Sequence, residues 1–219
     1  MAAEAAIPLN CKVAHFTYLG YIPVMFRKGS HAPDEFFRGK HRFEHWYRDN
    51  CIYFITARCR GRFSAFTSEE CKAIFWNRFD HYSAEYDVKP IVGSLMDNHY
   101  HFLAYLREGR TLGAFMQRLH GSVAKLVNDR LPRRITPFWT DSGHQNYFDG
   151  CLRSELQFKK TYRYVFEQPR RHGIVQDPEL YPHTKRYITL DRALYRALEL
   201  NTFLKDLPYK RYAKRNKST

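Results

Sequence analysis

His99 and His101 flank a single tyrosine in the run His99-Tyr100-His101. In an extended segment alternate side chains share a face, so both imidazoles project from one side, about 7 Å apart at their base. Tyr100, Phe102, Ala104 and Leu106 then point the other way. Two imidazoles on one sheet face can bind a divalent ion, although a pair of core or surface histidines would show the same spacing. A second group lies on the segment 154–168. At helical spacing, Phe158, Tyr162, Val165 and Phe166 gather on one face. Gln157, Lys160, Thr161, Tyr164 and Gln168 gather on the opposite one. Tyr164 is thus an aromatic on the polar face, with Lys160 one turn before it and Gln168 one turn after. An ordinary surface tyrosine is the plain alternative.

Taken together the two groups suggest phosphoryl chemistry. A metal on two imidazoles wants a third protein donor, and Gln168 offers a carboxamide oxygen one turn from a phenol. If the helix lies across the histidine strand, metal and phenol meet at one phosphate. The ion can polarise the phosphoryl oxygens while the phenol attacks phosphorus. The product is a 5′-phosphotyrosine and a free 3′-hydroxyl, an ester that allows rejoining without ATP. A phenol with an ordinary pKa of about 10 must be helped to ionise. The metal, Lys160 and a bound water are the candidate helpers.

These residues need elements to hold them. Cys51 to Ala57 is rich in β-branched and aromatic residues and reads as a buried strand. Thr67-Ser68-Glu69-Glu70 reads as a capping box with Thr67 as cap. It opens a helix with Cys71, Ile74, Phe75, Phe79, Tyr82 and Tyr86 at helical spacing. Val88 to Met96 and His99 to Leu106 read as an antiparallel hairpin around Asp97-Asn98. A helix from Thr111 places Leu112, Phe115, Met116, Leu119, Val123, Leu126 and Val127 on one stripe, and Pro132 is expected to end it. Ser154-Glu155-Leu156-Gln157 is another capping box, opening a helix that Pro169 must stop. This order predicts an α+β fold of ferredoxin-like type, a mainly antiparallel sheet with helices packed on it.

The expected organisation is an N-terminal extension over residues 1–46, a main domain over 47–180, and a helical and basic C-terminal tail over 181–219. Lys28 to Pro33 carries a loop signal, and a helix-like stretch runs from Asp191 to Leu207.

Bulk composition agrees with a nucleic-acid partner. Lys plus Arg number 36 against 22 for Asp plus Glu, a formal charge of +14 in 219 residues. Such a surplus favours a polyanion, because neutralising phosphates releases condensed counterions. The aromatic share of 16% supplies rings that could stack on unpaired bases, although most of them belong to the core. Five cysteines, with no CxxC pair, argue against a disulfide framework and a cysteine zinc site. The expectation is reduced thiols in a cytoplasmic protein. Ile7 to Phe26 is interrupted by Asn10, Lys12 and His15 and makes a poor membrane span.

The run Met96-Asp97-Asn98-His99-Tyr100-His101-Phe102 resembles the HUH motif, in which one hydrophobic residue separates two metal-binding histidines. The segment from Tyr164 through Gln168-Pro169-Arg170-Arg171-His172 to Gly173 resembles the catalytic segment of REP-associated tyrosine transposases and their insertion-sequence relatives. Phe138-Trp139 and Tyr147 to Arg153 resemble that family's Trp-to-Arg block. Asp97 stands where the family has Pro, and Thr140 where Gln is common. The resemblance implies a ferredoxin-like HUH domain, Mg²⁺ or Mn²⁺, and single-stranded DNA that often carries a hairpin. It implies His99, His101 and Gln168 as metal ligands and Tyr164 as nucleophile. It implies a monomer or homodimer acting in the cytoplasm at the nucleoid, with no membrane partner. The alternative on the same scaffold is a domesticated, non-cleaving protein that binds DNA hairpins.

Overall fold

The structure is a computed structural model that describes residues 47–139, 146–200 and 202–203. The extension over 1–46 with its loop at Lys28 to Pro33, the position of Thr140, and the basic tail lie outside the described residues.

The core is built on β1 (Cys51–Arg58), β2 (Lys89–Leu95), β3 (His99–Leu106), β4 (Phe148–Cys151) and β5 (Thr184–Arg186). They form one sheet in the order β4-β1-β3-β2-β5, with every neighbouring pair antiparallel. The helices are α1 (Glu69–Glu85), α2 (Thr111–Asn128), α3 (Glu155–Phe166), the short α4 (Gln168–Arg171) and α5 (Leu190–Glu199). This is the expected ferredoxin-like α+β arrangement, with β5 added at one edge.

β1 and β3 sit inside the sheet, and nearly every residue of both is buried. Their pleat divides two environments. Cys51, Tyr53, Ile55 and Ala57 of β1 and Tyr100, Phe102, Ala104 and Leu106 of β3 join α1 and α2 in one apolar cluster. Ring contacts define it: Phe75 lies 4.9 Å from Tyr100, and Phe79 lies 4.9 Å from Phe102, between centroids. The intervening residues, Phe54 and His101 among them, face away, towards α3, which packs on β2 and β3 and also contacts α5.

Several local features differ from the sequence expectation, among them α2, which ends at Asn128 short of Pro132, and α5, which ends at Glu199. The cap of α1 is Ser68 rather than Thr67, its hydroxyl accepting from the Cys71 amide at 3.2 Å. The segment 154–168 is not one helix: α3 ends at Phe166 and α4 begins at Gln168, with Pro169 in its first turn, where a missing N–H costs nothing. Thr184–Arg186 adds a strand beside β2, although three residues leave no periodic signal. At the start of α3, Ser154 caps the Gln157 amide at 3.2 Å as expected. Gln157 Oε1 takes the Arg153 amide rather than that of Ser154. Among the described residues no helix is long and apolar enough to cross a membrane.

Candidate active site

His99 and His101 lie on the α3 side of the central strand, each only 7% exposed. Their ring centroids are 5.1 Å apart. Met96 N donates to His99 O at 2.8 Å, closing the tight hairpin that begins the strand. Asn98 in that hairpin orients the first imidazole, with Oδ1 2.6 Å from His99 Nδ1. A proton held on Nδ1 leaves Nε2 with a free lone pair, the usual way an outer partner fixes a ligand tautomer.

α3 brings its tyrosine to the same place. The Tyr164 ring centroid is 5.3 Å from that of His101, edge to face. Phe54 of β1 stacks on His101 at 5.8 Å and meets Tyr164 at 5.9 Å, so it wedges the two rings into position. The face of α3 that reads as polar is therefore turned partly inwards. Thr161 is buried, and its hydroxyl donates back to Gln157 O at 2.8 Å. Lys160 stays exposed.

Gln168 is fully buried. The break after α3 turns its side chain inwards, with Nε2 donating to Tyr164 O at 3.0 Å. Two buried polar atoms of this group have no hydrogen-bond partner: Gln168 Oε1 and His101 Nδ1. An unsatisfied buried acceptor costs about 1–3 kcal/mol, so such atoms ask for an explanation, and a cation bound between these residues would satisfy them. Among the described residues no group of three or more His, Cys, Asp or Glu could hold a metal. An ion here would need the carboxamide as its third protein donor.

The electrostatics suit neutral ligands. Burial drives His99 down to about 3, helped by His172 and Arg58 and opposed by Gln168. Burial also drives His101 well below the ordinary histidine range, with His99, His172 and Arg58 adding to it. Uncharged imidazoles are the form that binds metal.

Several neighbours were not singled out from the sequence. His172 at the end of α4 puts its ring 4.9 Å from His99. The Arg171 guanidinium lies 5.2 Å from the centre of the Tyr164 ring. Arg58, exposed, is the register partner of His99 across β1 and β3. Arg171 and His172 lie in the basic stretch that follows Pro169, so composition hints at them. Arg58 gave no signal, because its place depends on strand register.

A ferredoxin-like sheet with a histidine pair on its central strand, faced by a tyrosine-bearing helix, defines the class of molecule. The model of the family described as IS200-like transposases matches residues 47–168, more than half of the chain. The chain belongs to that family. Among solved structures it is similar to a REP-associated tyrosine transposase bound to a REP hairpin, at 13% identity and a TM-score of 0.58. That likeness covers 80% of this chain and 99% of the other. A transposase assignment from Deinococcus radiodurans R1 also matches, at 13% identity and a TM-score of 0.39, over 58% of this chain and 98% of that one. No curated protein sequence matches the chain.

Proposed function

We propose that this transposase-family protein cuts and rejoins single-stranded DNA through a 5′-phosphotyrosine on Tyr164. The reading is carried by one observation: a phenol ring, two buried imidazoles and a buried carboxamide converge beside the central strand. The family membership supports it, as does the fold shared with a transposase that binds a REP hairpin. The substrate is then a single strand carrying a hairpin.

Tyr164 Oη attacks phosphorus, forming the Oη–P bond as the P–O3′ bond breaks. The phenol proton is finally taken up by the departing 3′ oxygen. Rejoining reverses the step with a different 3′-hydroxyl. His99, His101 and Gln168 are the residues that would hold Mg²⁺ or Mn²⁺, which when bound supplies Lewis-acid charge to the phosphoryl oxygens. Arg171, over the tyrosine ring, offers a fixed positive charge to a phenolate. Phe54 and His101 restrict the ring to a narrow range of orientations, which favours in-line attack.

The test is a labelled single-stranded hairpin oligonucleotide incubated with Mg²⁺ or Mn²⁺. A covalent protein–DNA adduct is expected, and Tyr164→Phe should abolish it while leaving DNA binding in place. Undiminished strand cleavage by Tyr164→Phe would refute the phosphotyrosine. Tight hairpin binding with no adduct under either ion would instead mark a non-cleaving DNA-binding protein on this scaffold.

A further inference from the structure

The chain leaves β1 through Cys59, Arg60, Gly61, Arg62 and Phe63, and this short turn is built in an unusual way. Gly61 and Arg62 both have left-handed backbone, at φ 57° and 60°. Glycine tolerates that region, whereas a residue with a Cβ is strained in it. An arginine standing where glycine would sit more easily is backbone strain of the kind that gathers at functional sites. Among the described residues the Arg62 guanidinium makes no hydrogen bond or ion pair. The next residue, Phe63, is an aromatic left 43% exposed.

The turn is nevertheless fixed. Cys59 N donates to Asn98 O at 2.8 Å, Arg60 N to Phe138 O at 2.9 Å, and Phe63 N to Arg60 O at 3.0 Å. Arg60 also reaches the Thr136 carbonyl with its guanidinium. Asn98 joins the turn to the candidate active site directly. Its Nδ2 donates to Arg62 O at 3.1 Å, while its Oδ1 meets His99 Nδ1. A backbone contact of Arg62 and the orientation of one imidazole therefore depend on the same side chain.

We propose that Arg62 and Phe63 form a single-stranded DNA subsite beside the candidate active site, the guanidinium taking a backbone phosphate and the ring stacking on an unpaired base. The proposal rests on the reading of the chain as a single-strand transferase and adds where the strand is gripped. A cation next to an exposed ring is the pairing that binds unpaired nucleotides: the phosphate is neutralised and the base presents its face, which a duplex hides. Arg58, in register with His99, extends the positive charge from this turn to the histidines. A strand held at Arg62 and Phe63 would lie next to the histidine pair, because Asn98 bridges this turn and His99.

The experiment measures binding of a roughly 15-nucleotide oligothymidine by fluorescence anisotropy in EDTA, so that cutting plays no part. Arg62→Gly should weaken binding about five- to tenfold and reduce the slope of log affinity against log salt by about 0.7. It should not lower the thermal midpoint, because glycine relaxes the backbone there. Phe63→Ala should weaken oligothymidine binding about fivefold and leave binding of an abasic strand unchanged. Unchanged oligothymidine affinity in both folded variants overturns the subsite, as does an equal loss on duplex DNA. If the unaltered chain forms its Tyr164 adduct while Arg62→Gly binds normally, the subsite fails and the cutting activity stands. If the unaltered chain binds no single strand, both fall.

Discussion

At the scale of single residues, the polar links around the site matter as much as the candidate ligands. Asn98 is the clearest case, since one carboxamide orients His99 and steadies the arginine turn. Asn98→Ala should lower Mn²⁺ affinity by about 10–100-fold, the usual cost of losing an outer partner of a histidine ligand. Calorimetric titration of both proteins checks this, and equal affinities would show that His99 is oriented by packing alone. The sequence exposed the histidine pair because a period of two is local, and it exposed Tyr164 because a period of 3.6 is local. Arg58 and Phe54 stayed hidden, because each acts across a strand pairing whose register no short window contains.

At the scale of elements, the strands and helices of the main domain could be read from hydrophobic periodicity, while their ends could not. Thr67 and Ser68 are both competent caps, and the choice between them depends on where the chain turns after Phe66. Ser68→Ala should destabilise the protein by about 1 kcal/mol. Thr67→Ala should stay within about 0.5 kcal/mol of the parent, as exposed substitutions generally do. Chemical denaturation measures both, and the reverse ranking would move the start of α1 by one residue. The break between α3 and α4 is invisible to a helical wheel for a similar reason. A wheel assumes one axis, and the chain changes axis at Glu167, which is how a residue of the supposed polar face becomes fully buried at Gln168.

At the scale of the whole molecule, acid sensitivity follows from histidines buried without charge. Burial lowers both His99 and His120 to about 3 and takes His101 in the same direction. An unfolded chain binds protons at these groups near the ordinary value of about 6.5. Between those limits the unfolded state holds more protons, so stability is complete above about pH 6.5 and falls as the solution is acidified. One such group removes about 2 kcal/mol by about pH 5. His120 is the cleaner probe, lying on the other side of the sheet with Nε2 2.6 Å from the Tyr100 hydroxyl and its ring stacked on Trp139 at 4.2 Å. His120→Gln should flatten the pH dependence of the unfolding free energy over that window by close to one proton. An unaltered slope would show that His120 does not contribute to acid unfolding.

β3 serves two tenants by turns: odd-numbered positions, His99 and His101 first, face the candidate active site, and even-numbered ones face the interior. That is a parity constraint. Deleting one residue between Asn98 and His101 would thrust the His101 imidazole among Phe75 and Trp139 and bring the Phe102 ring out in its stead. Chemistry and folding would be lost in one event. Copies of this gene that fall silent yet still yield a folded product should therefore carry substitutions in this strand and no single-codon gaps.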